Sequence, residues 1–275
     1  MAREDCPICR GTGWKLVARK DGTPGSVAVA CECGMEERAG LVMERARIPK
    51  RYEHCDFESY VTDLADGKTY TPEHCSALKS AKMLVQAFVR NYPGGDQSGL
   101  LLMGNSGVGK THLAVAALRE LVGRGHSGYF CEYGALLREI QNTYRSDSEA
   151  SEMQILQPIL STEVVIIDDL GCIKPSDWVR DTVGYILNTR YVEASRDLSH
   201  PRCTIITTNY LDNPKAEEET VKGPNGRQYR KVQDDPLWER IGERMRSRLF
   251  EMCRTVEVSA PDFRREMRRA GRARA

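Results

Sequence analysis

Apolar residues along the chain follow two patterns. Four short stretches are built around unbroken apolar runs: "GLLLM" at 99–103, "SGYFCEY" at 127–133, "EVVIIDDLG" at 163–171 and "CTIITTNY" at 203–210. Runs of this length, bounded by glycine or polar residues, predict strands buried on both faces. The stretches between them carry a helical period. "THLAVAALREL" (111–121) puts Leu113, Ala117, Leu118 and Leu121 on one side, and "GALLREIQNTYR" (134–145) and "DWVRDTVGYILNTRYVEA" (177–194) read as two further helices. Strand and helix in alternation predict an α/β fold with a central parallel sheet covered on both faces.

Flanking segments are less regular. Residues 71–91 predict a helix, with Pro72 in its first turn and Leu78, Ala81, Met83, Leu84 and Phe88 approximating one apolar face. "MEERAGLVMERARIPKRY" is a charged helix candidate ended by Pro49. Residues 212–236 have almost no apolar content and read as an exposed, mobile insertion, whereas "LWERIGERMRSRLFEMC" (237–253) reads as one helix.

With 275 residues, 40% hydrophobic and 29% charged, the chain has room for one large domain and a small appendage. A formal net charge of +1 excludes a polycation, so any nucleic-acid contact must rest on local basic groups. No apolar run reaches the roughly 18–20 residues of a membrane span, and the N-terminus lacks the apolar core of a secretory signal. A cytoplasmic protein is expected, and there the ten cysteines argue for thiols or metal ligands rather than disulfides.

The first strand runs into a phosphate cradle. Gly104, Asn105, Ser106, Gly107, Val108, Gly109, Lys110 and Thr111 satisfy G-x-x-x-x-G-K-[ST]. In such a loop the glycines let backbone N–H groups turn toward a β-phosphate, the lysine reaches the β/γ oxygens and the threonine hydroxyl holds Mg²⁺. The helix that follows points its positive end at the anion. Strand "VVIIDD" supplies the carboxylates this chemistry needs, with Asp168 on Mg²⁺ and Asp169 polarising the attacking water. Asp169 is shorter than the glutamate many ATPases use there, which predicts slow hydrolysis. Asn209, ending "TIITTN", is placed to sit between the γ-phosphate and that water.

Taken together, "GNSGVGKTHLA" with its His112, "VVIIDDLG", "TIITTN", "GERMRSRL" and "DFR" resemble the AAA+ ATPases of the DnaC/IstB group. These are bacterial and phage helicase loaders and transposition helpers. "RIPKRYEHCDFESY" (47–60) is similar as well, and in that family lies beside the nucleotide base. The resemblance covers about residues 45–265. It implies an AAA+ P-loop ATPase that binds ATP. Arg248 matches the family's arginine finger, which reaches into a neighbouring subunit's site, and Arg244 is a second candidate four residues earlier. Arg264 matches the sensor arginine that contacts the γ-phosphate of its own subunit, His112 belongs to the family's phosphate-loop run, and Tyr144 falls on the helix that faces single-stranded DNA. The implied partners are a replicative DnaB-type helicase, single-stranded DNA and further copies of the chain, with no membrane. A transposition helper, which binds duplex DNA and a transposase, is the alternative. A regulatory adaptor that binds nucleotide without turnover is another.

The N-terminal residues stand apart. Cys6-x2-Cys9 and Cys31-x-Cys33 are two close thiolate pairs in a segment too poor in apolar residues to fold by burial alone, an arrangement that suits structural Zn²⁺ in a zinc-ribbon-like module. His54 or Cys55 could replace one ligand. Some helicase loaders carry such a region against the helicase, so the resemblance makes residues 1–47 the docking module and tilts the reading toward a loader. Residues 48–265 are then the AAA+ ATPase domain, with an exposed insertion at 213–235. A basic tail at 266–275 is expected to be disordered; the last twelve residues hold six arginines against one glutamate.

Overall fold

A computed structural model describes residues 4–19, 25–31, 33, 44, 46–63, 70–95, 97–144, 151–196, 201–212, 220–222, 228–230 and 235–265. An N-terminal ribbon pairs β1 (Trp14–Ala18) with β2 (Ser26–Ala30) antiparallel. The main body alternates α1 (Pro72–Asn91), β3 (Gly99–Gly104), α2 (Lys110–Gly123), β4 (Gly128–Glu132), α3 (Tyr133–Thr143), α4 (Glu152–Ser161), β5 (Val164–Asp168), α5 (Asp177–Arg196) and β6 (Cys203–Thr208). It continues through a small ribbon of β7 (Thr220–Lys222) and β8 (Gln228–Arg230), then α6 (Leu237–Ile241), α7 (Glu243–Met252) and β9 (Cys253–Val258). The sheet order is β4-β5-β6-β3-β9, every pair parallel.

Side chains of β3 alternate between two cores. Leu100 and Leu102 join the one beneath α1 and α2, and Leu101 and Met103 join the one beneath α3 to α7. This period of two on a sheet covered twice is why the strands read as continuous apolar runs. At the end of the sheet away from the phosphate loop, the fully buried Arg190 donates to Thr204 Oγ1 (2.8 Å) and to the carbonyls of Ile159 (2.7 Å), Thr162 (2.9 Å), Glu163 (3.0 Å) and Cys203 (2.6 Å). A buried guanidinium is tolerable because its donors are spent on backbone acceptors.

Several expectations need correction. Residues 237–253 are two helices, broken at Gly242, whose φ of 84° and ψ of 147° no helix contains. The chain then enters β9 at Cys253, an edge strand the apolar pattern did not predict. Helix α4 was also unforeseen; it holds Pro158 in its interior and starts at a Ser151–Gln154 capping box. In α1, capped by Thr71, the apolar face is Leu78, Ala81, Val85, Phe88 and Val89, while Met83 is exposed. The described residues of the 212–236 segment include the β7–β8 ribbon, and most of the rest of that expected insertion lies outside the described residues. The charged stretch at 35–52 lies mostly outside the described residues, and so does the tail at 266–275.

Helix α2 is buried on nearly every side, because residues 46–63 cross over its outer face. Phe130 N donates to Ala46 O (2.7 Å), Arg119 donates to the carbonyls of Glu53 and Cys55, and His112 Nε2 bonds Asp56 O (2.7 Å). No helix among the described residues is long and apolar enough to cross a membrane.

Candidate functional site

The strands β3, β5 and β6 end together, and their C-terminal ends open into a cavity of about 580 Å³. The loop after β3 forms its floor. Lys110 Nζ donates to the carbonyls of Gly104 (2.8 Å) and Asn105 (2.8 Å) and to Asn209 Oδ1 (2.7 Å). Thr111 Oγ1 donates to Asp168 Oδ1 (2.8 Å), and Thr207 Oγ1 donates to the same oxygen (2.7 Å). Asn209 Nδ2 donates to Asp169 Oδ1 (2.8 Å), so one side-chain amide links the lysine to the carboxylate. Asp169 sits at φ 61°, turned out of the strand, with its N–H bonded to Thr207 Oγ1 (2.9 Å).

Electrostatics follow from burial. Desolvation pulls Lys110 down to about 8, against the opposing pull of Asp169 and Asp168. Burial raises Asp168, although the two threonine hydroxyls oppose it, and burial likewise raises Asp169 against the pull of Lys110. A hydroxyl beside two carboxylates whose ionised form burial disfavours is a donor set that fits Mg²⁺, a hard cation whose charge favours that form.

Two glycines of the loop are fixed by close neighbours as well as by phosphate geometry. A Cβ on Gly107 would lie 1.9 Å from Asp262 Oδ1, and one on Gly109 would lie 2.6 Å from the Tyr60 ring. The C-terminal segment and the 46–63 strap therefore press on the loop from both sides. Phe263 N donates to Gly107 O (3.1 Å), and Tyr60 OH donates to Val108 O (3.1 Å).

Lys110, Thr111, His112, Asp168, Asp169, Asn209 and Arg264 all line this one cavity, with Ser106, Gly107, Val108 and Gly109. Gly104 and Asn105 contribute their carbonyls to Lys110. From the strap, Tyr52, His54 and Tyr60 form another wall. Burial lowers His112, and its Nε2 is the donor to the Asp56 carbonyl. Three contributors escaped sequence reasoning: Thr207, whose hydroxyl donates to the Asp168 carboxylate and accepts from the Asp169 N–H; Glu132, a cavity-wall residue whose carboxylate caps α3 at Gly134 N and Ala135 N; and Asp262. Thr207 lies inside the quoted "TIITTN" and Asp262 inside "DFR", each without an assigned role, and nothing local marks Glu132.

Arg248, Arg244 and Tyr144 are not among the residues that line the cavity. Arg248 is half-buried on α7 with its guanidinium carbon 5.4 Å from the Tyr191 ring centre, while Arg244, one turn earlier, is exposed. Tyr144 ends α3 with its ring 59% exposed, its hydroxyl donating to Glu152 Oε2 (2.9 Å) and accepting from Trp178 Nε1 (3.3 Å).

A second candidate centre lies in the N-terminal residues. The sulfurs of Cys6, Cys9, Cys31 and Cys33 are all within 4.8 Å of one another and all buried. Tetrahedral Zn²⁺ at a Zn–S distance of about 2.3 Å sets its sulfurs about 3.8 Å apart; Cys6 to Cys31 is 3.8 Å and Cys9 to Cys33 is 3.4 Å. Hydrogen bonds from the amides of Cys9 and Ile8 lower Cys6 to about 6, which suits a thiolate ligand. The four sulfurs fit the ion. Cys55 lies elsewhere, in the core beneath α1 and α2.

Known proteins resemble this arrangement. The replicative helicase loader DnaC of Escherichia coli (strain K12) is 27% identical over 181 residues, covering 65% of this chain and 68% of that protein. The crystal structure of the DnaC helicase loader superposes with a TM-score of 0.55 and 26% identity, over 77% of this chain and 100% of that one. The crystal structure of the DnaI shares the fold at a TM-score of 0.51 and 24% identity, covering 78% of this chain and 94% of that one. Residues 70–210 match the family described as IstB-like ATP binding protein, and that span holds the phosphate loop, both aspartates and Asn209. This chain is a member of the IstB-like ATP-binding protein family, with an AAA+ P-loop fold.

Proposed function

We propose that the chain hydrolyses ATP and uses the cycle to load a replicative helicase onto single-stranded DNA in the cytoplasm. The observation that carries this reading is the likeness to the DnaC helicase loader over the full length of its crystal structure. Lys110 binds the β/γ oxygens in place of its present carbonyl partners, and Thr111 with Asp168 would hold Mg²⁺, which neutralises charge on the phosphates when bound. Asp169 takes a proton from the attacking water, while Asn209 fixes that water against the γ-phosphate. Arg264, exposed at the cavity mouth, contacts the same phosphate.

The trans arginine comes from α7. Arg248 holds the family position, and the exposure of Arg244 favours it as the group that reaches a neighbouring copy. Either one makes hydrolysis depend on assembly. Tyr144 offers an exposed ring on which a base of single-stranded DNA stacks. Residues 1–47, organised by Zn²⁺ on the four cysteines, dock the helicase; residues 48–265 form the ATPase.

The family description favours a second reading, a transposition helper. A pull-down of the host's replicative helicase, with and without ATP, separates the two. The wild-type chain is expected to retain the helicase, the Cys6→Ser/Cys9→Ser chain to lose it, and Lys110→Ala to lose the response to ATP. No retention in any condition, together with duplex-dependent association with a transposase, would replace the loader by the helper.

A further inference from the structure

Asn209 is followed by three residues that the α6–α7 hairpin holds in succession. Tyr210 lies under Arg240, whose guanidinium carbon is 4.4 Å from the ring centre. Leu211 O accepts from Leu237 N, the first residue of α6 (2.9 Å). Asp212 forms a two-pronged ion pair with Arg246 of α7, through Nε and Nη2. Arg240 is itself tethered to Asp235 (2.9 Å) and its side chain is only 16% exposed.

The same clamp reaches the other catalytic loop. Gly171, two residues beyond Asp169, faces the Tyr210 ring and the Arg240 stem; a Cβ built there would lie 3.1 Å from Tyr210 Cδ2 and 3.2 Å from Arg240 Cβ. Tyr210 is thus held between the Asp169 loop and Arg240, with its N–H on Thr208 Oγ1 (3.2 Å). Neither Arg240, Arg246, Tyr210 nor Asp212 lines the nucleotide cavity.

We propose that Arg240 and Arg246 are positioning residues for ATP hydrolysis: acting through Tyr210 and Asp212, they fix Asn209 and Asp169 relative to one another and to the γ-phosphate. This rests on the hydrolytic reading above and adds the residues that set its geometry. The phosphate-binding residues Lys110 and Thr111 open α2, outside the clamp, and Lys110 meets it only through Asn209 Oδ1 (2.7 Å), so loosening the clamp costs ground-state binding little. What it loses is alignment of the water, which only the transition state requires.

The test compares Arg240→Leu and Arg246→Leu with Arg240→Lys and Arg246→Lys and with wild type, in the full-length chain at a concentration that saturates ATPase activity per chain. The leucine variants are expected to lose about 10- to 100-fold in kcat, the scale of a small misplacement, with KM and the Kd for a fluorescent ATP analogue within about threefold of wild type. The lysine variants, which keep a cation over Tyr210 or beside Asp212, regain part of kcat. Wild-type kcat in the leucine variants, or KM and Kd rising with the loss of kcat, overturns the clamp. If wild type binds nucleotide and never turns it over, the hydrolytic reading falls and the clamp with it; active wild type and equally active variants sink the clamp alone.

Discussion

In the free site Lys110 has only carbonyls and an amide oxygen around its ammonium, and burial has already brought it down to about 8. A bound polyphosphate adds negative charge to that of Asp168 and Asp169 and raises that value. Affinity is therefore full below about pH 8, where Lys110 is already charged. It falls as pH rises through that value, because binding must then take up a proton. The slope approaches tenfold per pH unit until the bound-state value is reached. Nucleotide Kd measured from pH 7.5 to 9.5 is expected to show this decline, and Lys110→Arg, which stays charged, to remove it. A flat wild-type profile would mean that Lys110 is not desolvated in solution. The residues of the phosphate site were legible because the loop's chemistry fixes their spacing in one short segment. Arg190, Thr207 and Asp262 were not, because each is defined by partners at least 13 residues away in sequence, and no local pattern marks such a contact.

At the scale of elements, strands with continuous apolar runs were legible, and β9 was not. "CRTVEV" mixes polar with apolar residues, and Arg254, Thr255 and Glu257 of this edge strand are not buried. The apolar criterion that finds central parallel strands misses such a strand. Its neighbour α7 is hidden from the sequence pattern because the helical period of 237–253 runs through Gly242 without interruption. At φ 84° and ψ 147° Gly242 occupies a region nearly closed to other residues, and there is open space where a Cβ would sit. Gly242→Ala therefore meets no neighbour and pays only in backbone strain, about 1–3 kcal/mol of lost stability. Gly123, the last residue of α2, has the same open space and no such backbone, so Gly123→Ala is expected to add about 0.5–1 kcal/mol. Urea unfolding of the two variants side by side separates conformation from packing: a loss at both positions would show that steric crowding, not φ, governs Gly242.

For the whole molecule, the proposed hold of Zn²⁺ on the N-terminal cysteines has a measurable consequence. The four cysteines form a cluster of their own, separate from both cores of the main body, and the β1–β2 ribbon leaves Trp14 60% and Leu16 75% exposed. Burial of that kind offers the N-terminal residues little of the roughly 25 cal/mol per Å² that holds the sheet, so the proposed Zn²⁺ is the group that would supply their order. The ATP-binding body, with Leu100, Leu101, Leu102 and Leu113 fully buried, needs none of it. Releasing the metal with a thiol-specific mercurial and a chromogenic chelator is expected to yield one Zn²⁺ per chain, and Cys6→Ser/Cys9→Ser to yield none. In the stripped chain the main thermal transition should stay within a few degrees of the starting value and nucleotide Kd should be unchanged, while the tryptophan emission of Trp14 shifts and helicase retention disappears. A collapse of the main transition on metal removal would show instead that the cysteine cluster holds the ATP-binding body together.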